Sequence, residues 1–357
     1  MALQPVQATK LGKLYVGKSE KLLAGRLGRE LQGQVQLIFT SPPFPLNQKK
    51  KYGNHQGEDY IMWFAAFAPL FAHLLTPTGS IVIELGNAWE PGRPVQSLLP
   101  LQSLLSFVQH EDAHLRLCQE FICHNPTRLP SPAQWVTIER IRVTDSYTHL
   151  WWMAQTDRPR ADNRNVLRPY SNSTKRMHQR GSFNAGERPS GHVISKDGFL
   201  RDNGGSIMQN VVEMDPIEPQ KEVRLPTNAF SIAHTNSNDY YLRKCKECDI
   251  EPHPARMPLQ LIDFFVQFLT VPGDLIFDPF AGSNATGYCA EQAGRRWISI
   301  EAESAYVAHS EVRFSQNAVT VDVDCELPRA IAVEEDHDLQ MKAQRQGEEK
   351  IDVASTC

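Results

Sequence analysis

No stretch of this chain is apolar for the roughly 18 residues that a membrane-crossing helix requires, and Met1-Ala2-Leu3-Gln4-Pro5 has no signal-peptide pattern. A soluble, cytoplasmic protein is the expectation. Cysteine is sparse: seven in 357 residues, at positions 118, 123, 245, 248, 289, 325 and 357. An odd, scattered set without an export signal argues against a disulfide framework and for reduced thiols. Cys245 and Cys248 form one Cys-x-x-Cys pair with His253 nearby. A structural zinc site takes four ligands and no second pair follows, so no metal is expected. Internal repeats are also absent.

A strong positive charge is missing too. The net charge is -4, but residues 321–357 hold ten Asp/Glu against four Lys/Arg, which leaves residues 1–320 at +2. The body is slightly basic and the tail acidic. Between Gln155 and Ser190 eight basic residues (Arg158, Arg160, Arg164, Arg168, Lys175, Arg176, Arg180, Arg188) face Asp157, Asp162 and Glu187. That excess suits phosphate binding, and a solvated loop would look the same. Hydrophobic residues make up 41% of the chain, enough for one large α/β domain and a smaller region.

Two stretches carry chemistry. The apolar run Val35-Gln36-Leu37-Ile38-Phe39 reads as a buried strand and ends in Thr40-Ser41-Pro42-Pro43-Phe44. Consecutive prolines fix φ, cannot donate and push their predecessors out of the helical region. The backbone thus leaves the strand stiff and extended, with carbonyls free to accept. A row of acceptors beside an aromatic ring suits a planar group bearing an NH2, although Pro-Pro also ends ordinary strands. The second stretch, Asp274-Leu275-Ile276-Phe277-Asp278-Pro279-Phe280-Ala281-Gly282-Ser283-Asn284-Ala285-Thr286-Gly287, reads as strand, Gly-containing turn and helix start. Nucleotide-like cofactors are held that way.

Together these stretches resemble the S-adenosylmethionine-dependent amino-methyltransferases of DNA, whose catalytic motif is Asp/Asn/Ser-Pro-Pro-Tyr/Phe, the Ser form being typical of cytosine-N4 members. Further matches are Asn125-Pro126-Thr127-Arg128-Leu129-Pro130-Ser131-Pro132, Leu150-Trp151-Trp152, His253-Pro254-Ala255-Arg256-Met257-Pro258 and Arg295-Arg296-Trp297-Ile298-Ser299-Ile300-Glu301. Catalytic motif first and cofactor motif last, the order is similar to the beta class, most like its PvuII-type modification methylases, over residues 12–316.

The resemblance implies an α/β, Rossmann-like fold with a mostly parallel sheet in circularly permuted motif order, plus a smaller target-recognition region. It divides the chain into a catalytic half (1–157), a target-recognition region (158–249), a cofactor half (250–317) and an acidic, flexible tail (318–357). It implies methyl transfer from S-adenosylmethionine to N4 of a flipped cytosine in double-stranded DNA, within a restriction-modification system. A cognate endonuclease would act on the same site without direct contact, and the chain would be a monomer or weak dimer. Adenine N6 is the nearest alternative and a protein glutamine amide a more distant one. The catalytic residues would be Ser41, Pro42, Pro43 and Phe44. The cofactor would be held by Asp278, Phe280, Gly282, Ser283, Asn284 and Glu301, with Asn236-Ser237 and His253-Pro254 near its methionine part. DNA would meet Lys49, Lys50, Lys51, Arg176 and Arg180. Family members often carry an Asp where Lys18 stands, so no role passes to Lys18. They usually have Gly where Asn284 stands, and Asn tolerates left-handed backbone well enough to keep the turn.

Along the chain, periodicity predicts strands over Leu14–Gly17, Val35–Phe39, Ser80–Gly86, Phe121–His124, Leu275–Phe277 and Trp297–Ile300. Helices are expected over Glu20–Leu31, Tyr60–Leu75, Val95–His110, Pro258–Thr270, Asn284–Ala293 and Ser304–Gln316, with Thr76-Pro77-Thr78-Gly79 as a stop. Trp135–Val143 and Tyr147–Met153 read as a β-hairpin. From Arg158 to Asp249 the pattern is irregular and rich in Arg, Asn and Ser, as base-reading segments are.

Overall fold

A computed structural model describes residues 3–44, 55–125, 128–195, 198–213, 230–231, 240–254 and 256–315. The strands are β1 (Gln7–Ala8), β2 (Gly12–Val16), β3 (Val35–Thr40), β4 (Leu75–Gly86), β5 (Arg116–His124), β6 (Tyr147–Ala154), β7 (Gly186–Glu187), β8 (Val193–Ile194), β9 (Val211–Glu213), β10 (Phe230–Ser231), β11 (Leu275–Asp278) and β12 (Arg296–Glu301). The α-helices are α1 (Ser19–Ala24), α2 (Arg26–Leu31), α3 (Gly57–Ala65), α4 (Phe67–Leu74), α5 (Leu99–Val108), α6 (Asn172–Arg180), α7 (Tyr240–Glu247), α8 (Leu259–Leu269), α9 (Ala285–Gln292) and α10 (Val307–Phe314).

Ten strands form one sheet in the order β1-β2-β12-β11-β3-β4-β6-β5-β9-β10, and β7 and β8 pair separately. From β2 to β4 all neighbours are parallel, and β6 then runs antiparallel to both β4 and β5. Every residue of β3 is buried, because helices cover both faces. Val35 and Ile38 point to the layer of α1 to α5, while Leu37 and Phe39 point to α8 and α9. From β3 the chain crosses through α3 and α4 to β4; from β11 it crosses through α9 to β12 on the other side. Strand order therefore reverses between β3 and β11, and a crevice opens beyond their carboxyl ends.

Several sequence expectations shift. The helix expected over Glu20–Leu31 breaks at Gly25 into α1 and α2, and that over Tyr60–Leu75 breaks at Ala66 into α3 and α4. Thr76-Pro77-Thr78-Gly79 follows the end of α4 at Leu74, as expected of a helix stop, and also bulges within β4, whose register against β3 jumps from Val35↔Leu75 to Leu37↔Ser80. The buried Gln36 amide holds the bulge: its nitrogen donates to the Thr78 carbonyl at 3.0 Å and its oxygen accepts from the Thr76 hydroxyl at 2.8 Å. The helix expected from Val95 begins at Leu99. Trp135–Val143 is not a strand. The hairpin partner of β6 is β5, with β4 on its other edge, so no edge remains for another strand. The backbone there folds on itself instead, Ile141 and Arg142 both donating to the Trp135 carbonyl.

Within 158–249 the described residues include more regular structure than the pattern suggested. β9 extends the main sheet alongside β5, and α7 packs on α10 through buried Tyr241, Cys245 and Val312. Cys245 thus sits in a small core beside Tyr241, and Cys248 is half-buried. No described helix is long and apolar enough to cross a membrane, and among the described residues no three metal-ligating side chains converge. The acidic tail lies outside the described residues.

Candidate active site

β3 and β11 end side by side, and each is followed by one of the two turns singled out in the sequence. Thr40, the last residue of β3, donates its hydroxyl to Asp278 Oδ1 at 2.7 Å, joining the two strand ends. Asp278 Oδ1 also accepts the Phe280 N–H at 3.0 Å, which folds the chain sharply after the strand. Burial raises the Asp278 carboxyl above the usual carboxylate range, and the bonds from Thr40, Thr286 and the Phe280 amide pull against that. One cavity of about 520 Å³ lies over these ends, lined by Ser41, Pro42, Pro43 and Phe44 from one turn and by Asp278, Phe280, Gly282 and Ser283 from the other. Glu301, at the end of β12, completes the wall.

The cofactor-type turn is tightly braced. Gly282 adopts φ +51, and its N–H donates to Glu301 Oε2 at 2.7 Å, while Glu301 Oε1 accepts the Glu303 N–H at 2.9 Å. Glu301 is 8% exposed; burial raises its carboxyl, and the Glu303 and Gly282 amides lower it. A side chain at Gly282 would meet the His253 ring at 3.0 Å, so His253 covers the turn closely. Ser283 is held by Arg313, which donates to its carbonyl at 2.9 Å and to its hydroxyl at 2.8 Å. Phe280 packs against Trp63 and Phe67, with ring centroids 5.7 and 5.3 Å away.

Asn284 has the left-handed backbone expected of it, with φ +53. Its side chain, however, turns away from the cavity. The amide nitrogen donates to Ser310 Oγ at 2.8 Å and the oxygen accepts from Ser299 Oγ at 2.8 Å, so Asn284 braces the turn from behind. Arg176 and Arg180 are exposed on α6 and do not line the cavity. Lys49, Lys50 and Lys51, like Asn236 and Ser237, lie outside the described residues.

The cavity also takes residues that sequence reasoning missed. Lys18 lines it despite standing where an acid is usual, as do Trp63, Glu84, Arg128, Tyr147 and Thr148. Glu84 is the one charged residue of β4, 9% exposed, accepting the Thr148 hydroxyl at 3.0 Å. A lone acid within a buried run was the available signal. Cys123 lies beside it, its thiol pushed up to about 12 by burial and by the Glu84 charge. Phe44 rests against the backbone of Gly86, where any Cβ would come within 2.9 Å of the ring.

A family model described as DNA methylase matches residues 35–312. The chain is 37% identical over 319 residues to the type II methyltransferase M.PvuII of Proteus hauseri, spanning 89% of this chain and 88% of that one. The DNA adenine methyltransferase YhdJ of Escherichia coli (strain K12) is 32% identical over a shorter segment, 26% of this chain and 29% of its own length. Among solved structures, the PvuII cytosine-N4-specific DNA methyltransferase superposes with a TM-score of 0.65 at 32% identity, covering 89% of this chain and 91% of that one.

Proposed function

This chain belongs to the DNA methylase family, and on that premise we propose that it moves the methyl group of S-adenosylmethionine to N4 of a cytosine flipped out of double-stranded DNA. The observation that carries the reading is the single cavity receiving both turns at the point where strand order reverses. The donor set fits the cofactor. Glu301 already has each oxygen oriented by a backbone amide and retains lone pairs for a ribose diol. Gly282 lets the backbone come close, and Phe280 offers an apolar floor. When bound, S-adenosylmethionine supplies a sulfonium methyl that needs no further activation.

The chain's own task is therefore position and electrostatics. The amine lone pair of cytosine is delocalised into its ring. Ser41 Oγ and the Pro42 carbonyl accept the two amine hydrogens, which turns the lone pair out of conjugation and spreads the growing positive charge. Pro42 and Pro43 keep those acceptors fixed. Phe44 stacks on the base and returns part of the unstacking cost, about a few kcal/mol. As nitrogen gains the methyl it must lose one proton, and Glu84 is a buried carboxylate of the same cavity able to take it. No cysteine nucleophile is required.

The exposed cations of α6, with Lys49, Lys50 and Lys51, supply phosphate contacts, and residues 158–249 read the target sequence. The enzyme works in the cytoplasm as a monomer or weak dimer, the modification partner of an endonuclease that cuts the same site. The test is to incubate the protein with labelled S-adenosylmethionine and duplex DNA, digest to nucleosides and weigh the products. N4-methylcytosine is expected. N6-methyladenine would overturn the base assignment alone, and unlabelled DNA would overturn the reading.

A further inference from the structure

We infer that Tyr241, with Arg313, is the positioning element that sets both flanks of the cofactor turn. The inference rests on the S-adenosylmethionine reading above. Tyr241 is the second residue of α7, in a segment whose sequence pattern reads as irregular, and it is 1% exposed. Its hydroxyl accepts the backbone N–H of His253 at 3.1 Å and meets His309 Nδ1 at 2.7 Å. Its ring lies under the Arg313 guanidinium, 4.4 Å from centroid to Cζ. Arg313 is 4% exposed and grips both the carbonyl and hydroxyl of Ser283.

Gly282 is enclosed by these two contacts. On one side His253 covers it, its ring also packing on Tyr306 with centroids 4.4 Å apart. On the other side Ser283 is anchored by Arg313. One phenol thus touches the segment that roofs the turn and the cation that floors it. The hydroxyl also meets the Cys245 side chain, and its bond to His309 depends on the charge of that ring. A hydroxyl that accepts from His253 gives its hydrogen to Nδ1 only if the His309 imidazole is neutral. Burial, His253 and Arg313 pull His309 down to about 4, so it is neutral near pH 7. None of Tyr241, His309 and Arg313 lines the cavity itself. They act through His253 and Ser283, which do.

The test is calorimetric titration of the purified full-length protein with S-adenosylmethionine, together with steady-state kinetics on duplex DNA. Tyr241→Phe keeps the ring and removes the hydroxyl. It should weaken S-adenosylmethionine binding about tenfold and raise its KM alike, with kcat and the KM for DNA unchanged. Arg313→Lys, which keeps the charge but loses the two-pronged grip, should do the same. Tyr240→Phe on the same helix, whose hydroxyl meets Ser315 Oγ at 3.0 Å, should bind as wild type. If both Tyr241→Phe and Arg313→Lys fold and bind S-adenosylmethionine as wild type does, the inference is overturned while the functional reading stands. A wild-type protein that binds no S-adenosylmethionine would overturn both.

Discussion

The two turns that meet over the sheet are rigid for opposite reasons. Ser41 to Phe44 owes its shape to covalent restriction, since two proline rings fix φ and remove donors. Asp278 to Asn284 owes its shape to a web of hydrogen bonds, accepting from Thr40, Arg313 and Ser299 and donating to Glu301 and Ser310. A turn stiffened by its own rings can spend its polar groups on a substrate. A turn stiffened by its neighbours transmits any disturbance to them. Substitutions in the first should therefore change chemistry and leave stability alone, and substitutions in the second should change both together.

The largest effect is expected at Ser41. Ser41→Ala should lower kcat about 10²- to 10³-fold, with the thermal midpoint and S-adenosylmethionine affinity untouched, by calorimetry and single-turnover kinetics. A matching loss of stability would erase the contrast between the turns. Gly282→Ala should behave oppositely, because a Cβ there meets His253 at 3.0 Å and φ is +51. It should cost about 1–3 kcal/mol in denaturant unfolding and abolish cofactor binding at micromolar concentration. Gly86→Ala sharpens the comparison, since its Cβ would fall 2.9 Å from the Phe44 ring and displace it. A fall of about tenfold in kcat/KM for DNA is expected, with S-adenosylmethionine binding preserved, because one aromatic stack is lost.

The smallest effect concerns pH. His309 is held at about 4, below its ordinary 6.5, by burial first and then by His253 and Arg313. With the folded value depressed, protons bind the unfolded chain more readily. The contribution is present above pH 6.5 and is lost as pH falls toward about 4. Thermal melts of wild type should decline over that window, and His309→Gln should flatten the decline. Parallel melting curves for the two proteins would show that another group governs it.

Legibility in the sequence divided along the same line. Strands β3, β4, β11 and β12 were readable because parallel strands covered on both faces are short apolar runs, and turn residues marked their ends. Both site turns were readable because proline and glycine constrain backbone wherever they stand. What escaped was set by distant partners. Nothing local shows that Gln36 stitches four residues of β4 into a bulge, or that Trp135 starts a turn because β6 has no open edge. Asn284 has the left-handed backbone its sequence position suggested, while its side-chain direction had no local signal, since Ser299 and Ser310 lie 15 and 26 residues away. Glu84, Trp63 and Tyr147 join the cavity wall only through folding.

The Asn284 brace also bears on how this sequence can change over generations. Replacing it with the glycine usual in the family would relax the backbone yet leave the Ser299 and Ser310 hydroxyls without it in the core. Gly287 is bound to the same arrangement, for a methyl there would overlap the Asn284 carboxamide oxygen. Positions 284, 287, 299 and 310 should therefore be inherited as a block. Among descendants of this sequence, a glycine at 284 should be accompanied by apolar residues in place of the two serines, and the four should drift together or not at all.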